Sequence, residues 1–201
     1  MDSYSLIKSA NGISSVSVDA RLLANRMIFL EDSITSEMVC NIVKKVMVLT
    51  LEYPDKPITF LINSPGGDVN AGMVLYDLIQ TSKTPIRMVA VGRAYSMAAV
   101  LLTAGRHGRY MLKNSSLMLH QPLLGSQVTG NSSSIKSISD NLLEVKKQMN
   151  RLLSKHTGKT EKQIEKATSY DHYFNAEEAI AFGLCDGVIG FDEIWEGLHE
   201  N

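Results

Sequence analysis

Short apolar runs alternate with stretches of helical periodicity along most of this chain. Met27-Ile28-Phe29-Leu30 reads as a buried strand. Behind it Thr35 is placed to cap a helix whose apolar positions Met38, Val39, Ile42, Val43, Val46 and Met47 follow helical spacing and stop before Pro54. Residues 58–62 are apolar but too few for a helix, and Pro65-Gly66-Gly67 closes them as a second strand. Helical spacing returns over 69–78, and a third strand is expected at 88–91 with Gly92 as its stop. Residues 96–104 suit a helix with Ser96 near its N-terminus, where free N–H groups and the dipole favour negative charge. Two further runs, 109–112 and 117–119, read as strands separated by the turn signal Lys113-Asn114, with His120 ending the second. Strands alternating with helices imply right-handed crossovers and a largely parallel sheet, an α/β fold.

The stretch 125–134 is rich in Ser, Gly and Thr and reads as an exposed connection. It introduces a long helix. Ile135, Ile138, Leu142, Val145, Met149 and Leu152 line one narrow stripe over about 20 residues, or ~30 Å. Spacing alone leaves two uses open, contact with a partner and packing on the chain's own domain. Shorter helices are expected at 161–167 and 176–182, and Gly187-Val188-Ile189 as an edge strand; no internal repeat is evident.

The chain has 201 residues, enough for one domain burying roughly 70% of its unfolded surface. Its net charge of −1 gives no electrostatic reason to expect nucleic acid or an anionic membrane as the main partner. Cys40 and Cys185 sit among apolar residues with no metal-ligand spacing, so reduced thiols and no metal are expected. No basic start is followed by an apolar stretch, and no apolar run approaches the ~20 residues that span a bilayer. A cytoplasmic location is the expectation.

Candidate chemistry lies in Gly92-Arg93-Ala94-Tyr95-Ser96-Met97-Ala98, Met118-Leu119-His120-Gln121-Pro122 and Ser169-Tyr170-Asp171-His172-Tyr173-Phe174. A serine hydroxyl is a weak nucleophile that needs a base within reach and an acid to hold that base in one tautomer, and Ser96, His120 and Asp171 supply those types. Gly66-Gly67, after an apolar run, can present backbone N–H groups to a developing oxyanion. Ala94 and Ala98 flank Ser96, so the G-x-S-x-G elbow of α/β-hydrolases is absent. Each residue also has a plain structural use: a helix cap for Ser96, a backbone-satisfied histidine for His120, a turn or cap for Asp171, a tight turn for the glycines. Among the other histidines, surface roles are expected for His107, His156 and His199, and His172 lies beside Asp171.

These blocks are joined by Arg21-Leu22-Leu23, Ile62-Asn63-Ser64, Asn114-Ser115, His156-Thr157-Gly158, Ala176-Glu177-Glu178-Ala179 and Phe182-Gly183-Leu184. In that order they closely resemble the proteolytic-subunit (ClpP) family of the Clp protease, self-compartmentalising serine peptidases, over residues 17–189. The resemblance implies Ser96 as nucleophile, His120 as general base, Asp171 as orienter, and an oxyanion hole from the N–H groups of Gly67 and Met97. It implies a ClpP/crotonase-like fold of repeated ββα units, with an N-terminal axial segment (1–18), one catalytic domain (19–201) and a protruding long-helix handle (about 125–157). It also implies two seven-membered rings stacked into a tetradecamer around a chamber. An ATP-dependent AAA+ unfoldase would feed unfolded proteins in, and this chain itself would use no cofactor. Three departures stand out. Thr59, Leu61 and Thr81 replace aromatics of the unfoldase-docking pocket; Tyr170 replaces an arginine; and Leu123-Leu124-Gly125-Ser126 replaces consecutive glycines. They suggest a divergent paralogue suited to mixed assembly with a second subunit. The competing classes are a regulatory ring subunit and a crotonase-like acyl-CoA enzyme.

Overall fold

A computed structural model describes residues 4–9, 12–125 and 129–195. Parts of the expected axial segment, Ser126 of the altered loop and His199 lie outside the described residues. An antiparallel hairpin, β1 (Tyr4–Ser9) with β2 (Gly12–Ser17), precedes α1 (Val18–Ala24), which is capped by the Ser17 hydroxyl. Three strand–helix pairs follow: β3 (Met27–Ile34) with α2 (Ser36–Glu52), β4 (Ile58–Gly67) with α3 (Val69–Thr81), and β5 (Ile86–Tyr95) with α4 (Met97–Thr103). Then come β6 (Arg109–Leu112), β7 (Ser116–Leu119), α5 (Ser132–Thr157), α6 (Glu161–Thr168), β8 (His172–Phe174), α7 (Ala176–Phe182) and β9 (Gly187–Ile189). The sheet runs β3-β4-β5-β6-β9 in parallel, with β7 beside β5 and β8 antiparallel to β7.

The long strands are each two half-strands. The register between β3 and β4 slips between Glu31 and Ser33, and that between β4 and β5 slips between Ile62 and Ser64. A slip bends a strand and raises its twist. The first half of β5 pairs with β6 (Met88↔Arg109) and the second half with β7 (Arg93↔Ser116), so β6 and β7 are the separated halves of a fourth such strand, before α5. This is the repeated ββα architecture. Gly92, expected as a stop, lies inside β5: Asn63 Oδ1 occupies the space of a Cβ there, 2.6 Å from its ideal position, and accepts the Arg93 N–H at 3.2 Å.

Phe60, Leu75, Met88, Leu101 and Leu102 are fully buried in the main core between the sheet and its helices. A second, smaller cluster lies on the sheet through Leu61, Val89 and Ile189, with Ile194 of a 3₁₀ turn (Asp192–Ile194). α5 is 26 residues long; Met149, Asn150 and Leu153 near its end are buried, whereas residues 132–141 are exposed throughout. Arg109 joins helix ends. Its guanidinium donates to the carbonyls of Thr103, His156 and Gly183 at 3.1–3.2 Å and pairs with Asp186.

Candidate active site

Ser96 is the hinge between β5 and α4. Its backbone takes φ 55° and ψ −124°, a conformation few non-glycine residues adopt, and its hydroxyl makes no capping bond to α4. The cap explanation of this serine is therefore not realised. The Ser96 N–H donates to Met118 O at 2.8 Å, which fixes the elbow against β7. Gly66 closes on it from beneath: a Cβ at Gly66 would lie 2.6 Å from Tyr95 O, 2.7 Å from Ser96 Cβ and 3.1 Å from Met97 N. Gly67, at φ 154°, pairs with Ile34, whose carbonyl oxygen lies 2.4 Å from the position a Cβ would take. Met97 opens α4, where helical N–H groups have no intrahelical partner, and its side chain is buried against Gly72.

His120 ends β7 and shares with Ser96 and Met97 a cleft of about 30 Å³, walled by Val69, Leu119, Asn150, Leu153 and Thr168. Pro122 also lines it, and the Gln121 N–H donates to Thr168 O at 2.7 Å, so the backbone after His120 is tied to the end of α6. The β7–β8 ladder ends with Leu119 opposite His172, and His120 and Asp171 are the next residues beyond it on the two strands. The side chains do not meet. His120 Nδ1 is buried with no hydrogen-bond partner among the described residues, while Asp171 is exposed and makes no bond to it. The structure thus brings Ser96, Met97, His120 and the Gly66-Gly67 turn together and leaves Asp171 exposed, outside the residues that line the cleft.

The competing groups sort cleanly. His172 stacks on Phe174 with ring centroids 4.2 Å apart. His107 is exposed in a bend. His156, expected at the surface, is half-buried and hydrogen-bonded through Nε2 to the Tyr76 hydroxyl at 2.9 Å, and burial holds its pKa below the usual histidine value. Burial pushes the Cys185 thiol up to about 11, so it stays protonated and inert. No group of His, Cys, Asp or Glu among the described residues is arranged to hold a metal ion, and no helix there is long and apolar enough to cross a membrane. Gly72, Asn150 and Thr168 escaped the reading of the sequence. An isolated glycine in a helical pattern, as at Gly72, was the available signal of close packing.

Kinked parallel half-strands that deliver a strained serine and a histidine to one cleft define an α/β protein of the ClpP fold. Comparison with family models gives the same answer: the model described as Clp protease matches residues 10–192. The chain belongs to the Clp protease family, and so to the serine peptidases in general.

Proposed function

We propose that this chain is the proteolytic subunit of an ATP-dependent Clp protease, a serine endopeptidase that cleaves unfolded proteins and peptides inside a ring-shaped chamber. The observation that carries the reading is Ser96 held at positive φ, uncapped, in one cleft with His120. Ser96 Oγ attacks the scissile carbonyl as His120 takes its proton, and the oxyanion forms toward the N–H groups of Gly67 and Met97. His120 returns the proton to the departing amine. Water then releases the acyl group from Ser96 by the same route in reverse. Asp171 serves by orienting His120 through Nδ1, the atom left unpartnered in the single chain. Seven-membered rings stack into a tetradecamer through α5, an AAA+ unfoldase supplies the chains and spends the ATP, and this subunit needs no cofactor.

A second reading, a subunit that becomes active only beside another paralogue, has one observation in its favour. The His120–Asp171 bond is unmade, beside a Tyr170 that is 85% exposed. A fluorophosphonate probe followed by intact mass separates the two. Labelling of the purified chain, absent in Ser96→Ala, supports a self-sufficient site. Labelling that appears only on mixing with a more typical paralogue favours the second reading, and none in either case rejects both.

A further inference from the structure

β4 falls out of step with both of its neighbours at one place. Its pairing with β3 slips between Glu31 and Ser33, and its pairing with β5 between Ile62 and Ser64. Two consecutive side chains bridge the slips. Asn63 turns to β5, where its Oδ1 accepts the Arg93 N–H. Ser64 turns to β3: its hydroxyl donates to Asp32 O at 2.5 Å, and the same oxygen accepts the Gly66 N–H at 3.1 Å. Asp32 sits within the slip at a φ of 59°, and Ser64 is wholly buried. One hydroxyl thus donates to one strand and accepts from the other, which serine can do and alanine cannot. Directly beyond it stand Gly66 and Gly67, at φ 91° and 154°. Neither has a side chain to hold its backbone, and glycine has the widest range of φ and ψ to lose. A bond from a serine oxygen to the N–H two residues on is the ST-turn pattern, in which a side chain sets the course of the backbone that follows. That course leads to the elbow, since a Cβ at Gly66 would fall 2.7 Å from Ser96 Cβ and 3.1 Å from Met97 N. Irregular strands beside active sites commonly re-aim a group in this way.

We propose that Ser64 is a positioning residue: its buried hydroxyl fixes the Gly66-Gly67 turn, so that the Gly67 N–H is already aimed when an oxyanion forms on the substrate. A donor of this kind is effective only when it is preorganised, because reorienting it during the reaction would consume the stabilisation that it supplies. Ser64 touches neither substrate nor Ser96 in this role and acts through the backbone alone. That the Gly67 N–H meets an oxyanion rests on the function proposed above. That Ser64 sets the turn does not.

Ser64→Ala removes the hydroxyl, and Ser64→Cys keeps a weaker donor and acceptor in its place. Each is checked for native circular dichroism and wild-type assembly. Amide hydrogen exchange, read at single residues by mass spectrometry, tests the turn itself. Gly66 and Gly67 should exchange at least about tenfold faster in Ser64→Ala, with Val89 of β5 unchanged and Ser64→Cys intermediate. A peptide aldehyde and the matching peptide alcohol test the consequence. With the aldehyde, Ser96 Oγ bonds to the carbonyl carbon, its proton passes to His120, and the π electrons move to the former carbonyl oxygen, which becomes the oxyanion; the alcohol reports binding alone. The preference for aldehyde over alcohol should fall at least about tenfold in Ser64→Ala while affinity for the alcohol stays within about twofold, whereas a purely structural role would move both ligands together. Unchanged exchange at Gly66 and Gly67 in a folded Ser64→Ala overturns the proposal whatever the ligands do. Faster exchange with an unchanged aldehyde preference overturns it as well, because the turn would then loosen without displacing the oxyanion donor. Should Ser64→Ala fail to fold, Ser64→Cys carries both comparisons, with changes in the same direction. A wild type that shows no preference for the aldehyde, alone or mixed with a paralogue, counts against the peptidase reading instead, and the exchange rates then decide the role of Ser64 in the turn.

Discussion

Ser96 spends free energy on its conformation, of order 1–3 kcal/mol, and the surroundings hold it there. Gly66 is the residue that leaves the room: an added methyl would meet Tyr95 O and Ser96 Cβ within 2.7 Å, at a φ of 91° that alanine resists. Gly66→Ala should therefore lower probe labelling of Ser96 at least about tenfold and cost about 2 kcal/mol or more of stability by urea titration. Labelling at the wild-type rate would mean that the elbow does not depend on that contact. If Asp171 orients His120 in the assembled protein, Asp171→Asn should lower kcat on peptide substrates by a factor on the order of 10⁴; a small effect would place the orienter elsewhere. His156 gives a test of stability against pH. Burial first, then Lys155 and Arg109, holds its pKa low, so the unfolded chain takes up this proton more readily than the folded one. The contribution is intact above about pH 6.5, is lost as pH falls through that value, and levels off below the folded pKa. His156→Gln should show a smaller drop in Tm between about pH 7.5 and about pH 5.5 than wild type, and equal drops would contradict this.

Among the elements, the helix ends depend on Arg109. One side chain answers carbonyls at the ends of α4, α5 and α7, where the helix dipoles favour a cation. Arg109→Met keeps the packing and removes the donors, so a loss of about 2–3 kcal/mol in urea unfolding is expected; a loss under ~0.5 kcal/mol would show the carbonyls to be satisfied by water. The same elements show what the sequence made legible. Thr35 caps α2 as its spacing implied, α7 and β9 begin and end where expected, and the apolar first halves of β3, β4 and β5 were plain. Their second halves were not. Asp32-Ser33, Asn63-Ser64 and Gly92-Arg93 carry no apolar alternation, because pairing there rests on a shifted parallel ladder between residues far apart in sequence. β1, β2 and β8 were missed for a related reason: they are three to six residues long, and only their partner strands define them. In the site, residue types alone left Ser96 and His120 open to plain structural uses, and the order of blocks shared with a family singled them out. That Asp171 is exposed and unbonded to His120 is a matter of three-dimensional placement, which sequence spacing does not encode.

For the whole molecule, the exposed half of α5 is the feature a lone chain does not explain. Ile135 and Ile138 are 46% and 36% exposed, and Leu143 is 53% exposed, on a helix that buries only its end. These side chains remain in water unless another copy covers them. Ile138→Lys should leave the circular dichroism spectrum unchanged and shift the protein to smaller assemblies in native mass spectrometry. Unchanged assembly would remove α5 from the proposed contact between rings. The root of this helix, at Asn150 and Leu153, is also a wall of the cleft that holds Ser96 and His120. Mechanically, α5 is a lever held from about Val145 onward, where its side chains pack on the core and Lys146 pairs with Glu165. Residues 132–144 extend about 20 Å beyond that hold, so a tip displaced by about 2 Å turns the root through about 6°. Whatever grips the far end of this arm therefore has purchase on the space around Ser96, geared down to displacements of the size that a hydrogen bond notices.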